Sequence, residues 1–226
     1  MIRTLILLID LFVTTTLAFL ILIVFGLINP YGRVSQAVFY YWSLMIIKLS
    51  GVKIEISGLE NYDRSKGYIV AANHKHLYDI PIICVASKLN IRFAAKVELF
   101  KIPIFGIAMQ LAGMVKIDRG NNQKALDALK QAESAIKQGV SLVIFPEGTR
   151  NKGSEQMLPF KKGAFMMSIN TGQDLLPVTV NRSNTILQGI SVKPKTVSIH
   201  FHPPVSPKTN MKKRDQFMKD VREIIA

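Results

Sequence analysis

The segment from Leu5 to Ile28 is almost unbroken apolar sequence, interrupted only by Asp10 and the Thr14-Thr15-Thr16 run. Such a stretch does not stay in water unless it is covered, so the rest of the chain must supply a core or a membrane to receive it. Coiled as a helix it measures about 36 Å, against about 30 Å for the hydrocarbon layer of a bilayer. A cleaved leader has a shorter apolar region, and Thr16-Leu17-Ala18 in mid-run is a poor cleavage site. Asn29-Pro30-Tyr31-Gly32 then signals a turn, and Val34 to Leu49 reads as a second helix carrying Phe39, Tyr40, Tyr41 and Trp42. That helix is too short and too polar to span. Two arrangements follow: a spanning first helix with an interfacial second one, or a helical hairpin dipping into one leaflet. Asp10 and Thr14, one turn apart, would face the second helix and favour the hairpin. Arg33, Lys48, Lys53, Arg64 and Lys66 come after the turn, and this positive excess puts the following domain on the cytoplasmic side of the cell (inner) membrane.

With 226 residues, the chain has room for one full-sized core and an appendage. We divide it into a membrane-associated two-helix segment, 1–50, and an α/β domain, 51–226. The formal net charge of +14 calls for anionic partners, of which an anionic phospholipid membrane is one. Nucleic acid is disfavoured, because 49% of the residues are hydrophobic and no zinc-finger, RNP-like or basic-zipper pattern is present. The single cysteine, Cys84, rules out an intrachain disulfide. Its flanks, Ile82-Ile83 and Val85-Ala86, predict a buried, inert thiol rather than an acyl-carrying nucleophile.

Beyond residue 50 the periodicity alternates. Strands are expected at Val52–Ile56, Tyr68–Ala72, Ile91–Ala95, Met114–Ile117, Val140–Phe145, Leu175–Val180 and Thr196–Phe201. Helices are expected at Ile80–Ser87, Pro103–Leu111, Asn122–Gln138, Gly163–Asn170 and Asn210–Ile225. Strands alternating with helices imply an α/β fold, a mostly parallel sheet covered by helices on both faces. Ligands of such sheets bind at the carboxyl ends of the strands.

Two segments sit at those ends. The first, Asn73-His74-Lys75-His76-Leu77-Tyr78-Asp79, carries an imidazole and a carboxylate five positions apart. In a straight helix these would point about 140° apart. A turn between strand and helix can bring them together, with Asp79 at the helix N-cap and Pro81 in its first turn. The carboxylate would then bind one imidazole nitrogen and fix the tautomer, while the other nitrogen removes a proton. The second segment, Phe145-Pro146-Glu147-Gly148-Thr149-Arg150, holds no histidine or cysteine, so its chemistry is recognition. Gly148 permits close backbone approach, Thr149 offers a hydroxyl, and Arg150 presents a fork that matches phosphate oxygens. Arg119, at another strand end, can add a second cation. The residues also allow a metal-dependent hydrolase using His74, His76, Asp79, His200 and His202, although the acid and neighbouring histidine of histidine-rich hydrolases do not occur here. A non-catalytic membrane-surface binding protein is the third possibility.

Four blocks in order resemble the glycerolipid acyltransferase family: Asn73-His74 with Asp79, Gly113 through Ile117-Asp118-Arg119, Phe145 to Arg150, and Leu176-Pro177-Val178. The likeness covers roughly 52–180. It implies transfer of an acyl chain from acyl-carrier protein or coenzyme A to the sn-2 hydroxyl of 1-acyl-glycerol-3-phosphate (lysophosphatidic acid), giving phosphatidic acid. By the same likeness His74 is the general base and Asp79 its partner, while Arg119, Glu147, Gly148, Thr149 and Arg150 belong to the acceptor site. Pro177 belongs to an acyl-binding or structural block. No metal and no cofactor beyond the thioester co-substrate is implied.

Overall fold

The computed structural model describes residues 2–118, 128, 132–133, 135–136, 138–151, 153, 157–207 and 213–226. Helix α1 (Ile2–Ile28) and helix α2 (Arg33–Ser50) form an antiparallel hairpin, followed by strand β1 (Lys53–Ser57) and strand β2 (Ile69–Ala72). Helix α3 (Asp79–Ser87), β3 (Ile91–Lys96), α4 (Phe105–Leu111), β4 (Val115–Ile117) and β5 (Ser141–Ile144) come next. The chain closes with α5 (Gly163–Thr171), β6 (Leu175–Asn181), the two-residue strands β7 (Leu187–Gln188) and β8 (Ser191–Val192), β9 (Thr196–Phe201) and α6 (Arg214–Ile225).

Seven of these strands form one sheet in the order β1-β9-β6-β2-β5-β3-β4. All neighbouring pairs are parallel except β6 with β9, so the expected mostly parallel sheet is what the chain builds. Side chains alternate across it as the pleat requires. In β2, Val70 and Ala72 enter the cluster beneath α1 to α4, whereas Ile69 and Ala71 enter the one beneath α5 and α6. Burial on both faces explains why the central strands read as continuous apolar runs. On the second face, Phe217, Val221 and Ile225 line one stripe of α6, spaced four residues apart. Of the expected helix at 122–138, the described residues Ala128, Ala132, Glu133, Ala135 and Ile136 are helical. Gln138, at its end, is in a turn, and its other residues lie outside the described ones.

The hairpin does not hang away from the domain. Leu7, Leu22 and Ile47 share one core cluster with Val70, Val143 and Val178. At the start of α1, the backbone N–H of Val192 donates to Thr4 Oγ1 (3.2 Å). Near its end, Gly26 lies so close to α4 that a Cβ there would sit 2.5 Å from the carbonyl oxygen of Leu111. The turn after α1 is held as well: Arg92 Nη2 donates to the carbonyl of Pro30 (2.7 Å), and Asn90 Nδ2 to that of Tyr31 (3.0 Å). Both ends of a helix about 40 Å long are therefore fastened to the domain. Its outer face, including Leu5, Phe12, Val24 and Ile28, stays exposed. Between α1 and α2, Trp42 Nε1 donates to Thr15 Oγ1 (3.1 Å), while Thr14 turns inward on its own helix and donates to the carbonyl of Asp10. Among the described residues α1 is the one helix long and apolar enough to cross a membrane.

Candidate active site

Because β2, β5, β3, β4 and β6 run the same way, their carboxyl ends share one edge. His74 leaves β2 there, two residues past Ala72. The chain then turns through a loop organised by a single oxygen, Asp79 Oδ2. It accepts the backbone N–H groups of Lys75 and His76 and meets His74 Nδ1, each at 2.8 Å. Asp79 is therefore not the helix N-cap expected from sequence. It is the first residue of α3, Tyr78 precedes it as the cap, and the carboxylate reaches back to tie the loop. An oxygen already accepting two N–H groups can take only a donor as its third partner, so Nδ1 carries the proton and Nε2 is left with its lone pair. Nε2 has no partner among the described residues.

The ring plane is set by Phe145, stacked on the imidazole with centroids 3.9 Å apart. Asn73 locks the strand end, its Nδ2 donating to the carbonyl of Val180 (2.8 Å) and its Oδ1 accepting the N–H of Val180 (2.7 Å). Neither Asn73 nor Phe145 carried a site role in the sequence reading, although both stand inside the blocks it used. Their task is packing and backbone bracing, which spacing alone does not reveal.

Glu147 does a different job from a phosphate contact. Its carboxylate is buried, with Oε1 accepting the backbone N–H of His74 (2.8 Å) and Oε2 that of Leu158 (3.0 Å). It thus fastens the second segment to the first, and the N–H of Asn151 donating to the carbonyl of His74 (2.8 Å) adds a second tie. Gly148 has φ +70°, a backbone conformation that calls for glycine, and the end of the Lys161 side chain packs against it. Thr149, exposed, and Arg150, half-buried, follow Gly148 in this loop. Burial holds the His76 imidazole below its ordinary pKa, the charge of Arg150 adding to it and Asp79 acting in opposition. Arg119 lies outside the described residues.

Pro177 sits inside β6 opposite Ala71, and its carbonyl accepts the N–H of His202 (3.0 Å). His200 and His202 pack edge to face, and they pair with the hydroxyls of Ser57 and Thr179 at 2.8 Å each. Among the described residues no three His, Cys, Asp or Glu side chains gather as metal ligands. Burial pushes the Cys84 thiol up to about 12, in keeping with an inert core residue.

A deep apolar cavity opens between the hairpin and the sheet, lined by residues such as Leu22, Phe39, Trp42, Ile80, Phe93 and Met109. One of its lining rings, Phe93, lies 6.1 Å from Phe145, which stacks on His74.

A family model described as Acyltransferase matches residues 53–181. Curated relatives include a 1-acyl-sn-glycerol-3-phosphate acyltransferase of Borreliella burgdorferi, 34% identical over 69% of this chain and 62% of that protein. Another, LPAT1 of the Arabidopsis thaliana chloroplast, is 35% identical over 68% of this chain and 44% of its own length. The matched region is thus under two thirds of these relatives. Among solved structures, the 1-acyl-sn-glycerophosphate acyltransferase PlsC of Thermotoga maritima superposes with a TM-score of 0.76 at 27% identity, covering 99% of this chain and 93% of that one.

Proposed function

From the fact that the chain belongs to the Acyltransferase family, we propose that it moves an acyl group from an acyl thioester to the sn-2 hydroxyl of 1-acyl-glycerol-3-phosphate, giving phosphatidic acid. The observation that carries the reading is His74: its Nδ1 is tied to Asp79, and its Nε2, at a strand end, has no partner among the described residues. In the reaction Nε2 takes the proton of the acceptor hydroxyl as that oxygen attacks the thioester carbonyl. Asp79 balances the imidazolium that results. The tetrahedral intermediate collapses by breaking the carbon–sulfur bond, and the departing thiolate takes the proton back from Nε2. A positioned base of this kind contributes a factor of about 10² to 10⁴.

The acceptor phosphate lies at the Gly148 loop, against Thr149, Arg150 and Lys161, with Arg119 as a further cation. An acyl chain occupies the apolar cavity, which lies one ring beyond the base. The donor is a thioester of acyl-carrier protein or coenzyme A, and no other cofactor enters. The membrane meets the exposed side of α1, which lies along the domain as an in-plane hairpin on the cytoplasmic leaflet. The relatives' names and the family match over 53–181 support the acceptor class.

The test is a panel of acyl-carrier and coenzyme A thioesters against lysophosphatidate, glycerol 3-phosphate and lysophosphatidylcholine, using purified protein in detergent. Thioester-dependent formation of phosphatidic acid is the expected result. Chelator-sensitive hydrolysis without transfer would replace this reading with the hydrolase.

A further inference from the structure

The hairpin of β7 and β8 serves neither the large sheet nor the base. Its root is fixed: Ile186 and Val192 are buried in the core, and the N–H of Lys193 donates to the carbonyl of Ile186 (2.8 Å). Its tip is bare. Ile190 is 78% exposed beside Gly189, and Leu187 is exposed next to it. An isoleucine held out in this way on a braced turn keeps an unfavourable contact with water that the fold does nothing to relieve.

Two observations say what covers it. The first is continuity, since Val192 is hydrogen-bonded to Thr4 in the first turn of α1, where Ile2 and Leu5 are also exposed. The second is charge. The guanidinium of Arg3 and the ring of Pro194 both lie against Gly51, and the N–H of Lys53 donates to the carbonyl of Lys195 (2.9 Å). Arg3, Lys53, Lys193 and Lys195 therefore surround the root of the hairpin. None of them forms an ion pair among the described residues. An apolar tip standing out from a basic root matches a bilayer surface rich in anionic lipid.

We propose that the β7–β8 hairpin is a second membrane attachment, with Ile190 entering the headgroup layer and the surrounding cations binding lipid phosphates. The inference rests on the reading that the outer face of α1 lies on the bilayer. It adds a point of contact at the amino end of that helix, so that the molecule is held at two places and cannot pivot about α1.

The experiment uses the full chain with Ile190→Cys, labelled with an environment-sensitive fluorophore. Cys84 is buried, so the label goes to the introduced thiol. Vesicles of phosphatidylcholine with phosphatidylglycerol should shift the emission to the blue, and brominated lipid should quench it. In unlabelled protein, Lys193→Gln with Lys195→Gln should weaken binding to these vesicles about tenfold or more, and Ile190→Ser also about tenfold. Turnover of a short-chain soluble acceptor should remain at the wild-type level in each variant, showing an intact fold. Unchanged emission from labelled protein that floats with the vesicles would overturn the hairpin proposal and leave the membrane reading standing. Failure of wild-type protein to float would remove the membrane reading itself. Vesicle binding unaltered by the lysine changes, with poorer use of a carrier-protein donor, would reassign the patch to an acidic protein and likewise overturn the proposal.

Discussion

At the scale of single residues, the site depends on oxygens that do more than one thing. Asp79 Oδ2 both shapes the loop and orients the imidazole. His74→Ala should therefore cut acyl transfer by about 10² to 10⁴ with little change in melting temperature. Asp79→Asn should cut transfer severely and also loosen the loop, because an amide oxygen accepts the N–H groups more weakly and offers no counter-charge to an imidazolium. Comparing turnover with the thermal melt separates these cases, and a folded His74→Ala protein that still turned over would remove the base. Glu147 tests a different idea. Both its oxygens accept backbone N–H groups, so Glu147→Gln turns one acceptor into a donor facing a donor. A loss of about 1–3 kcal/mol in stability is expected. Lower turnover with an acceptor KM near the wild-type value would mark the residue as a brace for His74, whereas a rise confined to KM would return it to the phosphate.

Between elements, one contact joins the α1–α2 hairpin to the loop that carries His74. Ser50, the last residue of α2, donates to the carbonyl of Ile46 and lies 2.5 Å from the hydroxyl of Tyr78. The serine proton is committed to its own helix, so the tyrosine donates. Tyr78 in turn packs against His76 (centroids 5.5 Å apart) and starts α3. Tyr78→Phe removes one hydrogen bond, worth about 1 kcal/mol, and keeps the ring. We expect a nearly unchanged melt and a several-fold loss of turnover, measured on both bilayer and short-chain acceptors. Turnover equal to wild type would show that α2 and the loop are neighbours without being coupled.

For the whole molecule, the two helices and the domain form one folding unit. Leu7, Leu22 and Ile47 are core residues, Phe39 and Trp42 line the cavity, and Arg92 is buried with Pro30 as one of its acceptors. Deleting residues 1–50 should therefore cost the fold: a broadened thermal transition, with activity lost alike on bilayer-embedded and soluble acceptors. A simple tether would spare the soluble one. The strands and the helix–strand alternation were legible in the sequence because the pleat and the helix impose periods of two and 3.6 on apolar residues. The β7–β8 hairpin was not, as two-residue strands are too short to show a period. His74 and Asp79 could be named from the sequence because local spacing and one turn suffice to join them. Glu147 was placed in the acceptor site by resemblance, but its partners, the N–H groups of His74 and Leu158, were not legible, since they are set by how β5 lies beside β2. The same holds for α1. Its composition determined by itself that the helix needs an apolar surrounding, but that it lies against the domain is decided by contacts at its two ends, Thr4 with Val192 and Gly26 with Leu111. Hydropathy is a property of residues one at a time, whereas direction comes only from contacts between segments far apart in the chain.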